Sequence, residues 1–131
     1  MKFIGIILFL FISPMTWSQA PQGFSYQCIL RNAAGEVLAN QSSNTRFCIR
    51  EGSATGTISY QETQNLTTNA QGLISAVIGN GTVTMGNFSN VDWGNGSKFL
   101  QVDVNLGQGW VGVGTEQLKS VPYALYAQDI P

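Results

Sequence analysis

Histidine is missing from all 131 residues, and charged side chains make up only 10% of them. Without an imidazole there can be no Ser–His or Cys–His nucleophile, and the commonest general base and metal ligand is gone. Lysine is scarce: beyond Lys2 only Lys98 and Lys119 occur, which leaves few candidates for Schiff-base chemistry. Cysteine appears as Cys28 and Cys48 alone, a poor basis for a zinc site when no histidine can join them. No basic run exists that could serve as a footprint for nucleic acid or anionic lipid. The expectation is a non-catalytic chain with no catalytic residues, no metal and no cofactor. Gly, Asn, Thr and Ser are plentiful instead, the vocabulary of an all-β domain with many turns.

The front of the chain has its own logic. One Lys precedes an unbroken apolar run over residues 3–12, followed by Ser13, Pro14 and small or polar residues. The run is much shorter than the roughly 20 residues a membrane-crossing helix needs. It matches an export signal, with residues 1–18 removed and Gln19 as the new N-terminus. Cleavage after Ala20 would place Pro21 at the scissile bond, so Thr16 and Ser18 are the better small residues. Removal takes Lys2 with it and leaves five basic against seven acidic residues. Residues 19–131 then form one domain with one core, and no later segment could span a membrane. The expected location is secreted or at the cell surface.

Alternation with a period of two recurs through the mature chain. Residues 24–31 read as a strand, 32–35 as a turn, 37–38 as a short element and 40–44 as a loop. Residues 45–51 and 57–66 are two more strands around the break "GSATG". In "TTNAQG", Asn69 can bond its own backbone and Gly72 can take a positive φ. "LISAVIG" is apolar on both faces and reads as a central strand. Residues 82–96 are the least regular, a short strand plus an exposed loop. Leu100, Val102, Val104 and Leu106 then alternate with Gln101, Asp103 and Asn105, a dry face and a wet one. Gly107 to Gly109 turn the chain into a last strand, "WVGVGTEQ". About seven short strands with turns between them imply an antiparallel β-sandwich.

Residues 118–131, "LKSVPYALYAQDIP", read differently. Ser120 is a fair N-cap, Pro122 suits a first helical turn, and "YALYAQ" holds good helix formers. Val121 and Leu125 share a face, with Tyr123 and Tyr126 adding aromatic surface. So short a helix is unstable alone, so it is expected to dock on the sandwich and to leave its other face for whatever follows.

The phrases "PQGFSYQ", "LRNAAGEVLANQ", "TRFCIREGSATGTISYQET", "TTNAQGLISAVIGNGTV", "FSNVDWGNGSKFLQVDV" and "LKSVPYALYA" occur here in one order. Together they resemble the N-terminal module of large secreted and cell-surface proteins of Bacteroidetes-type bacteria. The likeness runs over residues 22–127. It implies a small sandwich that precedes collagen-like repeats, a fibre-like stalk or another surface domain, and hence a surface protein or stalk domain as partner. "TTNAQGL" also resembles a turn of prealbumin-like domains in bacterial adhesins, which makes the fold Ig-like or prealbumin-like. Cys28 and Cys48 stand where the resemblance leads one to expect small or aliphatic residues.

Particular residues carry competing readings. A Cys28–Cys48 disulfide suits an oxidising compartment. The alternation opposes it, because Cys28 falls with Tyr26 and Leu30 while Cys48 falls opposite Phe47 and Ile49; both readings stay open. Trp93 and Trp110 could form a glycan platform, since exposed indoles lie flat on pyranose rings. The alternative function is therefore a carbohydrate-binding module using an exposed Trp93, and the competing reading buries Trp93 as a plug at the end of the core. A glycosidase-like carboxylate pair could be drawn from Glu51, Glu62, Asp92 and Asp103, but Glu62 and Asp103 read as solvated. An isopeptide between Lys98 and Asn65 or Asn105, assisted by Glu62, competes with a solvated Lys98 at a strand end.

Overall fold

A computed structural model describes residues 23–119. The expected signal over residues 1–18 and the expected helix carrying Val121, Tyr123, Leu125 and Tyr126 both lie outside the described residues. Seven strands follow one another: β1 (Phe24–Ile29), β2 (Ser42–Glu51), β3 (Ile58–Thr67), β4 (Leu73–Ile78), β5 (Thr82–Gly86), β6 (Lys98–Asn105) and β7 (Trp110–Leu118). They form two antiparallel sheets, a two-stranded one in the order β1-β4 and a five-stranded one in the order β5-β3-β2-β6-β7. The described residues are all-β apart from one 3-10 turn at Phe88–Asn90.

Alternation explains the layering. In β2, Ser43, Thr45, Phe47 and Ile49 are buried toward the two-stranded sheet, and Arg46 and Arg50 point the other way. Opposite them in β6, Val104, Val102 and Leu100 share the inner face, while Asp103, Gln101 and Phe99 share the outer one. The core joins Phe47, Ile49, Tyr60, Leu100 and Val102 of the larger sheet to Ile78 of the smaller, with Phe24, Tyr26 and Ala76 packed against them. A second, smaller cluster holds Leu30, Ile74 and Val104.

The connection from β5 to β6, expected to be an exposed loop, closes one end of this core. Phe88, Val91 and Trp93 are all buried in it. Trp93 meets Phe24 edge-on at 5.9 Å and Phe88 at 5.4 Å, and Phe88 meets Tyr60 at 5.2 Å. These are favoured aromatic arrangements, and the backbone order they impose lets Gly-rich residues 94–96 stay outside.

One device shapes three turns. The side-chain oxygens of Asn32, Asn69 and Asn105 each accept from the N–H groups two and four residues on. In the second of these turns Gly72 sits at φ +81°, where an added Cβ would lie 3.0 Å from Val37 Cβ and 3.1 Å from the Leu30 carbonyl oxygen. Glycine is required there for both conformation and space.

Four expectations shift. "LISAVI" is not a central strand. Ile74, Ala76 and Ile78 face inward, and the apolar outer face comes from Val77, which is exposed. Residues 37–38 reduce to one bridge between Arg31 and Val37. The loop expected to end at Asn44 ends earlier, since Ser42 already pairs with Thr67. Leu106 lies beyond the end of β6 and is exposed rather than continuing its dry face.

Candidate functional site

Three places bring polar or apolar groups together: the outer face of the larger sheet, the inner edge beside β3, and a slot between β1 and β7.

On the outer face, β2, β6 and β7 line up Arg46, Asp103 and Trp110. Arg46 Nη2 and Nε donate to Asp103 Oδ2 at 3.2 and 3.3 Å, and the guanidinium carbon lies 4.3 Å above the Trp110 ring. Gln101 Nε2 donates to the same carboxylate at 3.0 Å, and its oxygen accepts from Arg50 Nε at 2.6 Å. Arg50 Nη1 ends the chain of contacts on the Gly56 carbonyl at 2.7 Å. Asp103 is thus nearly buried despite belonging to the wet face; its neighbours cover it. A row of this kind ties three strands together, and each of its members is already engaged within it.

Cys48 is buried beneath the row and donates to Gln61 Oε1 at 3.2 Å. Burial raises its thiol pKa, Arg46 and Arg50 pull it down, and Asp103 pushes it up. Cys28 packs, half-buried, against the smaller core cluster, and burial raises it too. Both are free thiols. The two strands turn them to different sides of the larger sheet, so the disulfide alternative is not realised. Thiols held protonated this way are poor nucleophiles and poor metal ligands.

At the inner edge, Glu62 is fully buried, contrary to the solvated reading. It lies on the same face of β3 as Tyr60, so alternation turns it inward. Its Oε1 accepts from the Tyr60 hydroxyl at 2.5 Å and the Gly79 N–H at 2.7 Å, and its Oε2 accepts from Gln64 Nε2 at 2.6 Å. Burial and this carboxylate together push the Tyr60 hydroxyl pKa well up. Lys98 is fully buried as well, not a solvated strand end. Its ammonium reaches Glu51 Oε1 at 3.0 Å and donates to the Asn95 carbonyl at 2.5 Å. That pins the loop holding Trp93 to the end of the sheet. Lys98 and Asn105 occupy opposite ends of β6 and Glu62 has its own partners, so the isopeptide set is not assembled. The carboxylates do not converge either: Glu62 faces inward, Asp103 outward, and Glu51 meets Lys98.

Trp93 is 6% exposed and belongs to the core, so it cannot be a glycan platform; the plug reading holds. Trp110 is 38% exposed, with Arg46 over its ring. Among the described residues no group of three or more Cys, Asp or Glu could hold a metal ion, and no helix is long and apolar enough to cross a membrane.

The slot was not foreseen. Among the described residues the two-stranded sheet covers β3 and β2 and leaves the inner face at β7 open. The slot has one cavity of about 620 Å³, lined by Ile29, Leu30, Leu38, Val104, Val111 and Val113. A second of about 200 Å³ continues it past Tyr26, Leu100, Val102 and Glu116. The signal was present in "WVGVG", whose valines alternate with residues too small to hide them, but nothing marked which face stays uncovered.

No curated protein and no solved structure matches the chain. One family does, described as a domain of unknown function (DUF8740), and it covers residues 25–120, every strand from Ser25 onward. The chain belongs to that family.

Proposed function

We propose that the protein is an exported, non-catalytic structural or adhesion module, an Ig-like or prealbumin-like sandwich of the kind that precedes a stalk or surface partner. Residues 1–18 are its export signal, and the mature domain works in secreted form or at the cell surface. The observation that carries this reading is the slot beside β7. It is an apolar surface of several exposed aliphatic side chains, Ile29, Leu106, Val111 and Val113 among them, and it accepts a chain segment more readily than a small polar ligand. The buried ionic groups support the same view, because Glu62, Lys98 and Asp103 each spend their bonds on holding strands together. The expected docking of Val121, Tyr123, Leu125 and Tyr126 belongs to this reading.

A carbohydrate-binding role has one observation in its favour, the exposed indole of Trp110 beside Arg46 and Asp103. It is the weaker reading because the guanidinium already covers a ring face. The mature chain on a glycan array, with Trp110→Ala beside it, separates the two. No glycan-dependent signal is expected, and a signal abolished by Trp110→Ala would replace the structural reading.

A further inference from the structure

We propose that Asn95-Gly96 is a self-modification site, at which the buried Lys98 ammonium promotes loss of the Asn95 side-chain amide as ammonia and leaves isoaspartate at position 95. The inference goes beyond the functional reading above and holds for either version of it. Gly96 has no side chain to block an approach, sits at φ +80° and has no atom within 4 Å of where a Cβ would be. Its nitrogen can therefore swing toward the Asn95 side chain unobstructed. Asn95 itself is exposed, and among the described residues the Gly96 N–H donates to no oxygen. The turn is held on both sides by buried groups, the Trp93 indole before it and Lys98 after it.

Lys98 supplies the activation. Its Nζ donates to the Asn95 backbone carbonyl oxygen at 2.5 Å and meets Glu51 Oε1 at 3.0 Å. That carbonyl belongs to the same peptide group as the Gly96 nitrogen. When solvent takes the Gly96 N–H proton, the negative charge spreads onto the Asn95 oxygen, where a fully buried ammonium already sits. The Gly96 nitrogen then bonds to Asn95 Cγ, and the Cγ–Nδ2 bond breaks, solvent returning a proton to the nitrogen that leaves as ammonia. A cyclic imide remains. Water opens it at the backbone carbonyl carbon that Lys98 polarises, breaking the bond from that carbon to the Gly96 nitrogen. The old carbonyl becomes a carboxylate facing Lys98, and the chain reaches Gly96 through Cβ and Cγ instead. Water is consumed, ammonia is released, and nothing is oxidised or reduced. Asn80-Gly81 carries the same two residues without the device. A Cβ at Gly81 would fall 2.7 Å from the Thr63 carbonyl oxygen and 2.8 Å from Glu62 Oε2, so its backbone is pressed against β3. Among the described residues cations reach backbone carbonyls at Gly35, Gly56 and Asn95 and not at Asn80.

The test incubates a protein spanning residues 19–131 at mildly alkaline pH and follows both sites by mass spectrometry of proteolytic peptides, with fragmentation that tells isoaspartate from aspartate. Asn95 is expected to lose its amide at least about tenfold faster than Asn80, the scale of one charge-assisted hydrogen bond, with isoaspartate as the main product. In guanidinium chloride above the unfolding transition the two rates are expected to converge. Lys98→Gln is expected to bring the Asn95 rate down to that of Asn80. Glu51→Gln keeps the ammonium and removes its counter-charge, so it is expected to raise the Asn95 rate several-fold, and it decides the matter if Lys98→Gln does not fold. Equal rates at the two sites in the folded chain would overturn the proposal. So would aspartate as the main product, an excess at Asn95 that persists in guanidinium or in a folded Lys98→Gln variant, or a Glu51→Gln rate that does not rise.

Discussion

Glu62 offers the sharpest test of how the layers are joined. Its two oxygens serve three donors: the Tyr60 hydroxyl, the Gly79 N–H and the Gln64 amide. Glu62→Gln keeps one acceptor for Tyr60 and Gly79 but turns a new NH2 group toward Gln64 Nε2, donor against donor. Gln64 cannot flip without giving up the Val77 carbonyl, which it holds at 2.9 Å. One charge-assisted bond is lost, an expected cost of about 1.5–3 kcal/mol. Glu62→Leu orphans the Tyr60 hydroxyl and the Gly79 N–H together. At about 1–3 kcal/mol for each buried donor, less the relief of not burying a carboxylate, the net cost is about 4 kcal/mol. In a domain this small that lowers the melting temperature by roughly 15 °C or more. Urea unfolding of a protein spanning residues 19–131 gives the free energies. Tyr60→Phe supplies the control: it should cost about 1 kcal/mol alone and restore about 1–3 kcal/mol in the Glu62→Leu background, where it removes the orphaned hydroxyl. A Glu62→Leu variant within about 0.5 kcal/mol of the parent, or a Tyr60→Phe loss unchanged in both backgrounds, would refute the account.

Two further outcomes are expected. Stability should be nearly flat between about pH 6 and 8.5, because no histidine titrates there. It should then fall, since the fold holds protons on Cys48 and Tyr60 that the unfolded chain releases near their ordinary values of 9.0 and 10.0; denaturant titrations from pH 6 to 11 check the sign. Trp93→Ala should cost about 3–5 kcal/mol, whereas Trp110→Ala should cost under about 1 kcal/mol. Residues 19–131 hold no other indole, so in a protein of that span acrylamide should quench Trp110 and spare Trp93, a contrast readable in the two single variants.

What the sequence made legible followed from period-two patterning. The dry face of β6 from Leu100 to Val104, the hairpin at Gly107–Gly109 and the Asn69–Gly72 turn all depend on neighbours in sequence, and the structure has them where the residues placed them. Partners distant in sequence were not legible. Glu62 shares the inward face of Tyr60, but its polar neighbours made that stretch look wet, and the Gly79 N–H that donates to it comes from a turn 17 residues away. Lys98 sits at a strand end, where a lysine normally reaches water, and is buried because the loop through Asn95 folds over it. β4 was misplaced for a related reason. Alternation reports how apolar each face is and says nothing about how many strands the sheet contains.

The irregular pairing of the outer strands has one more consequence. Both border pairs of the larger sheet are interrupted, β3 against β5 at Gln61/Glu62 and β6 against β7 at Val102/Asp103. A bulge twists the chain and breaks the even rhythm that a docking neighbour would have to match. Many copies held close together can therefore sit side by side without zipping into fibrils, although β5 is exposed along its whole length.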